Sequence, residues 1–232
     1  SDITLNRFFA LHVIAIPLVL VLLIVAHLVA LHEVGSNNPD GVEIKKHKDA
    51  NGIPLDGVPF FPHMVVKDGV AAVAFLMVFS AVVFFAPDMG GYFLEYNNFV
   101  PANPMKTPEH IAPVWYFTPY YAILRAVPPL FGSQFPGVVA MGVATVIFFF
   151  LPWLDRGPVR SIRYRGPIYK AFLAAFVVSF IGLGWLGLMP ATETYTLISR
   201  VLAVVYFAFF FLMPWYTKID KCKPEPDRVT FK

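Results

Sequence analysis

An all-α fold is predicted, a polytopic bundle of transmembrane helices, and three observations predict it. Hydrophobic residues make up 57% of the chain and charged residues only 14%, with a mean hydropathy of +0.64. A soluble core does not need such a composition. Five apolar runs, at about 4–32, 69–87, 137–154, 170–188 and 197–216, reach the roughly 20 residues that cross a bilayer. The segments between them alternate between basic and nearly uncharged.

That alternation sets the expected topology. The 33–68 loop carries Lys45, Lys46, Lys48 and Lys67, and the 155–169 loop carries Arg156, Arg160, Arg163 and Arg165. The tail after Trp215 is basic again, with Lys218, Lys221, Lys223, Arg228 and Lys232. Positive-inside logic puts all three on the cytoplasmic side. The first helix then starts on the periplasmic face, and the long 88–136 stretch lies outside with it. That stretch is rich in proline and has apolar content of its own, VWYFTPYYAIL, so short surface helices are expected in it. The turn between the fourth and fifth spans is short.

The chain opens Ser-Asp and runs at once into an apolar helix, with no basic n-region and no small-residue cleavage site. A signal peptide is therefore not expected, and an internal or processed piece of a longer protein is. Cys222 is alone and cannot form an intrachain disulfide. No nucleic-acid partner is expected; the arginines of 155–166 read as topology determinants, with anionic lipid as a secondary partner.

The first span holds His12, His27 and, at its end, His32. An imidazole in lipid is costly and faces a protein interior or a cofactor. Fifteen residues separate His12 from His27, which leaves them about 60° apart around the helix and about 22 Å apart along it. One metal cannot reach both, whereas two haems at two depths can each take one as an axial ligand. Buried histidines bonded to a neighbouring helix are the plainer alternative. Pro17 removes a backbone bond between them, so a kink or local over-winding is expected to correct the rotation. His32 sits in a wet position suited to proton exchange.

RFFALH and VAHLVALHEVGSNNP resemble the fourth transmembrane helix and following loop of the cytochrome b family. HMVVKD, FAPD, VPANP, TPEHIAPVWYF, YAILRAVP and WLGLMPATETY follow in the family's order, so the resemblance covers nearly the whole chain. It implies the membrane subunit of a quinol–cytochrome c oxidoreductase (respiratory complex III). Quinol is oxidised at an outer site, electrons pass through two b haems to an inner quinone-reduction site, and protons are translocated. Residues 1–60 would be the last helix of the N-terminal haem-binding bundle and its loop. Residues 61–232 would be the C-terminal domain with the quinol-oxidation loop.

By the same resemblance, His12 ligates the outer haem b and His27 the inner one, and their second ligands lie outside this chain. The missing N-terminal helices of the same cytochrome b are therefore an expected partner. So are a Rieske iron–sulfur protein, a cytochrome c1-type subunit, quinone, membrane lipid and a second copy in a homodimer. Pro113, Trp115, Tyr116 and Tyr121 fall at the quinol-oxidation site, though the two tyrosines also suit an interfacial aromatic belt. The family's glutamate in Pro-Glu-Trp-Tyr is Val114 here, and Glu109, where the usual motif has proline, is the candidate replacement. His32, Ser36, Lys67 and Asp68 match the inner quinone pocket, where a histidine and an aspartate can protonate opposite carbonyls. An ion pair at the helix start is the plainer reading of Lys67–Asp68. Arg7 either steadies a haem propionate or anchors the helix end by snorkelling.

Mitochondrial members space the two histidines by one residue fewer. The longer spacing resembles chloroplast-type relatives, but those are split after the fourth helix and lack the last one. The continuous chain and PVWY together favour a bacterial inner-membrane protein. A dihaem b anchor of another quinone-linked dehydrogenase would share the histidines but not the ordered motifs. A non-redox transporter would need more polar groups in the later spans.

Overall fold

The computed structural model describes residues 2–91, 94, 96–101, 103, 105–106, 108 and 111–230. Among these, no strand forms beyond two isolated bridges, Lys48 with Pro54 and Leu130 with Ser133. The helices long and apolar enough to span a membrane are α1 (Asp2–Val34), α2 (Phe60–Phe85), α4 (Phe135–Leu154), α5 (Pro167–Leu188) and α6 (Glu193–Phe211). The chain is an integral membrane protein by these helices. Between α2 and α4 come single 3₁₀ turns at Met89–Gly91, Tyr96–Phe99 and Trp115–Phe117, and then the short helix α3 (Thr118–Ala126).

Span boundaries shift by a few residues, and the two largest shifts each have a local reason. α2 starts at Phe60 rather than near 69, because Lys67 and Asp68 lower the hydropathy without interrupting the helical backbone. The last span closes at Phe211 and gives way to a separate helix, α7 (Met213–Ile219), which carries Pro214 in its first turn. Proline has no amide to continue α6 but is well placed in a first turn.

A π turn over Leu11–Ala15 interrupts α1, closed by the Ile16 amide donating to the Leu11 carbonyl. It lies just before Pro17, whose ring would crowd the carbonyl four residues back. A π turn takes one extra residue into the helix, and so removes up to about 100° of rotation. The irregularity between His12 and His27 is thus a widening of the helix, where a kink or over-winding was expected. The offset swings from about 60° on one side toward alignment and beyond.

α3 to α7 form one packed unit. Ala122, Ile123, Leu183, Leu186, Tyr206, Phe210, Met213 and Tyr216 are all buried in it. The core is largely aromatic: Phe172 stacks on Tyr216 at 4.1 Å, and Phe176 packs against Phe209 at 4.6 Å and Tyr206 at 5.1 Å. Both buried hydroxyls find acceptors, Tyr206 on the Ala144 carbonyl (2.8 Å) and Tyr216 on the Phe209 carbonyl (2.9 Å). Small residues allow the closest approaches, as is common between membrane helices. A Cβ on Gly187 of α5 would run into the Thr118 carbonyl at the start of α3, and one on Gly137 of α4 would meet the Leu124 carbonyl.

α1 and α2 behave differently. None of their described residues is buried, and neither packs extensively on the other or on α3–α7. They are tied to the packed unit through the 35–59 loop. Asp40, fully buried, accepts from Arg163 Nη1 (3.1 Å), the Tyr164 hydroxyl (2.7 Å), and the Thr230 amide (2.8 Å) and hydroxyl (2.9 Å). Asp56 takes both prongs of Arg228, each at 2.7 Å. Ser161 Oγ donates to the Pro39 carbonyl at 2.6 Å, and Arg160 pairs with Glu43 at 3.6 Å. The three basic segments thus share one end of the molecule.

Replacing Gly187 by alanine is expected to cost about 1–3 kcal/mol by forcing α3 off α5. Gly142→Ala, where a Cβ would meet nothing within 4 Å, is the matched control. Denaturant titration of both variants in one detergent should show a clear fall in midpoint for the first alone.

Candidate functional site

The candidate site residues fall into three groups. The first is on α1. The His12 Nδ1 lies 2.9 Å from the Phe8 carbonyl oxygen. A carbonyl only accepts, so Nδ1 carries the proton and Nε2 keeps its lone pair for a metal. His12 sits inside the π turn and His27 further along the same exposed helix. Arg7 lies one turn before His12 and is exposed, with no ion pair among the described residues.

The second group brackets the 35–59 loop. His32 is in the last turn of α1, which Gly35 closes at φ +84° with its amide on the Leu31 carbonyl. Ser36 follows, and Lys67 and Asp68 are the eighth and ninth residues of α2. All four are exposed, and no hydrogen bond or ion pair joins them to each other among the described residues. The plainer reading of Lys67–Asp68 as an ion pair is therefore not what the structure has.

The third group precedes and enters α3. Pro113 and Val114 lead into the Trp115–Phe117 turn, in which the Phe117 amide bonds the Val114 carbonyl (2.8 Å). The Thr118 hydroxyl donates to the Trp115 carbonyl at 2.7 Å, fixing the turn to the helix start. The Trp115 and Tyr116 rings meet edge to face at 5.5 Å, and both residues are more than half exposed. Tyr121 lies on α3 beneath the guanidinium of Arg125, 4.6 Å from its ring centre. Glu109, and His110 beside it, lie outside the described residues.

The sequence reading missed the residues that hold these groups in place. Arg125 Nη1 and Nη2 donate to the carbonyls of Met189 (3.0 Å) and Leu186 (2.7 Å), where α5 ends. Its Nε is buried without a partner among the described residues. Arg200 Nε donates to the Ala126 carbonyl at the end of α3 (2.9 Å). An arginine in the otherwise apolar YAILRAVP was the available signal, since a buried cation needs acceptors. Asp40 and Asp56 gave none, being acids in a polar loop. Both carboxyls sit below the usual carboxylate range. For Asp40 the Thr230 amide is the main cause and the Tyr164 hydroxyl the next, against the opposing effect of burial; for Asp56 it is Arg228.

A groove of about 530 Å³ lies between α4 and α6, lined by Val139, Val143, Ile147, Phe150 and Phe211 among others. It holds none of the candidate residues and is apolar throughout.

Residues 1–119 match the family model "Cytochrome b(N-terminal)/b6/petB", and residues 101–207 match "Cytochrome b(C-terminal)/b6/petD". The chain belongs to the cytochrome b family. It is 59% identical to the cytochrome b of Allochromatium vinosum, over 99% of this chain and 56% of that one. It is 46% identical to that of Rhodospirillum rubrum, over 98% and 52% respectively. A chain of a solved "Hyperthermophilic respiratory Complex III" superposes with a TM-score of 0.81 at 38% identity, covering 94% of this chain and 52% of that one. The chain spans about half the length of the curated relatives it matches.

Cytochrome b membership implies haem b, and the donor set on α1 can be tested against it. His12 has the right free nitrogen, and both spanning imidazoles are on an uncovered helix. Among the described residues no three histidine, cysteine or acidic side chains converge on a point. His12 and His27 therefore each offer a single imidazole, and a haem held here would need any second protein ligand from elsewhere.

Arg125→Gln should lose the forked contact to α5 and cost about 2–3 kcal/mol, in the range of hydrogen bonds to charged groups. Arg125→Lys should recover only part of this, because an ammonium cannot span both carbonyls. Detergent-phase unfolding of the three proteins ranks them wild type, Lys, Gln if the geometry holds.

Proposed function

We propose that this chain is the part of a quinol–cytochrome c oxidoreductase membrane subunit that carries one imidazole for each of two b haems, the outer quinol-oxidation segment and the inner quinone-reduction pocket. The observation that carries this is the pair of histidines on one uncovered spanning helix, with the His12 Nδ1 occupied by the Phe8 carbonyl and Nε2 left free. The likeness to a complex III chain supports it.

His12 Nε2 would hold the outer haem and His27 the inner one, with Arg7 near a propionate of the first. Haem, when bound, supplies one-electron transfer between the two sides. At the outer site Pro113, Trp115, Tyr116 and Tyr121 would seat the quinol. Quinol must lose two protons with its two electrons, and Val114 cannot accept one, so Glu109 takes that role. At the inner site quinone gains two electrons and two protons. His32 and Asp68 donate to its two carbonyls, and Ser36 and Lys67 complete the pocket. A Rieske iron–sulfur protein and a cytochrome c1-type subunit would receive electrons on the outer side. The remaining N-terminal helices would cover α1 and supply the second imidazoles. The membrane is the bacterial inner membrane, with the 35–59 loop, the 155–166 loop and the tail cytoplasmic. The protein works as a homodimer.

Reduced-minus-oxidised spectra of membranes carrying the full-length protein test the haem assignment. His12→Ala and His27→Ala should each remove a different b-type signal; unchanged spectra in both would overturn the proposal. Glu109→Gln should slow quinol oxidation about 10²-fold or more, as loss of a general base does. It should also remove one limb of the pH–rate profile, whereas an unaltered profile would return Glu109 to an ordinary surface acid.

A further inference from the structure

The path from His32 to Asp68 runs through a loop that is bonded to the packed unit at two points, and both holds are made by acids with no assigned part in quinone chemistry. Asp40 lies four residues after Ser36, fully buried, and binds Arg163, Tyr164 and Thr230 at once. Asp56 lies nearer the start of α2 and is gripped by Arg228. The 35–59 loop is also internally bonded. The Asn38 side chain accepts from the amides of Asp40 (3.2 Å) and Val42 (3.1 Å) and donates to the Val42 carbonyl (2.7 Å). Asp49 Oδ1 accepts from the amides of Asn51 (2.9 Å) and Ile53 (2.8 Å), and the Leu55 amide bonds the His47 carbonyl (2.9 Å).

Such a segment is tied within itself as well as at its anchors. Its ends are the last turn of α1, with His32, and the first turns of α2, with Lys67 and Asp68. Since α1 and α2 pack extensively on nothing among the described residues, the loop's anchor points set where those ends sit relative to α3–α7. The anchors themselves are firm. Lys223 donates from its amide to the Tyr164 carbonyl (2.7 Å), and the Arg160 amide donates to Glu225 (2.6 Å), so the tail and the 155–166 loop are one bonded layer.

We propose that Asp40 and Asp56 are positioning residues for inner-site quinone reduction, clasping the 35–59 loop to Arg163, Tyr164, Arg228 and Thr230 so that His32 and Ser36 face Lys67 and Asp68 at a fixed separation. This rests on reading those four residues as the quinone pocket. The clasp touches no substrate. It acts by geometry, and a small misplacement of reacting groups is costly.

The test uses the full-length protein in its assembled complex. With the outer site blocked by an inhibitor, a short-chain benzoquinol is added and inner-site haem reduction is followed. Asp40→Ala should lower the single-turnover rate of haem reduction at low quinol about 10-fold, mostly through a raised apparent KM for quinol. With the inner site blocked instead, the pre-steady-state rate of haem reduction from the outer site and both haem spectra should stay within about twofold. Asp40→Asn, which keeps the shape and loses the charge, should fall between, and it serves if the alanine variant does not assemble. Asp56→Ala should shift KM in the same direction.

Unchanged inner-site kinetics in Asp40→Ala and Asp56→Ala overturn the proposal, as does an equal loss at both sites, which would mark a general structural role. Asp68→Asn and His32→Gln run alongside. If these two also leave inner-site kinetics unchanged, the pocket assignment itself falls and the positioning role with it. If they alter the kinetics and the clasp variants do not, only the positioning role falls.

Discussion

α5 is held at each end by a charge opposite to that end of its dipole, and the packed unit is built around it. At its start Asp220 accepts from the amides of Gly166 (2.7 Å) and Ile168 (3.1 Å). At its finish Arg125 donates to the carbonyls of Leu186 and Met189. Those are the groups a helix leaves unbonded, and a chain crossing lipid cannot rely on water to satisfy them. Each charge comes from a different part of the chain, Asp220 from the tail and Arg125 from α3. Closing the ends of α5 therefore also fixes the tail at one end of the molecule and the α3 helix at the other. Gly187, bare of a side chain, lets α3 lie directly on α5.

That arrangement explains why the two ends of the molecule differ. At the α3 end, carbonyls are covered by arginines and by Gln134, which donates to Leu124 and Val127. The acceptors there belong to helix ends, and the element so fixed carries Tyr121 and follows the PVWY turn. At the tail end, the currency is carboxylates meeting cations and amides: Asp155 with Arg165 at 2.6 Å, Asp40 with Arg163, and Asp56 with Arg228. Isolated exposed pairs of this kind contribute little to stability. Here their value is positional, because Asp40 is buried and shared among three partners. Losing any one of them would leave a buried charge less well paired.

The five spans were legible because hydropathy is a local property, and so was the sharing of one end by the three basic segments. The failures were equally physical. Lys67 and Asp68 masked two turns of α2, since hydropathy registers charge while the backbone does not. Pro17 announced a disturbance in α1 but not its sense: a missing amide permits either tightening or widening, and crowding of the preceding carbonyl selects the π turn. Asp40 was invisible because its partners lie 123, 124 and 190 residues away in the chain. Only the fold brings them together.

The uncovered state of α1 gives the histidines their sense. A helix apolar on all sides is stable in lipid or against other helices, so apolarity alone leaves its neighbours unspecified. His12 and His27 are the costly residues on it, because an imidazole toward lipid is penalised. The extra residue between them would turn the second away from the first in a regular helix. The π turn alters that rotation at the level of His12, and the Phe8 carbonyl holds the ring in the tautomer that exposes Nε2. Backbone irregularity and ring orientation thus coincide at His12. Packing does not account for either feature, since no described residue of α1 is buried.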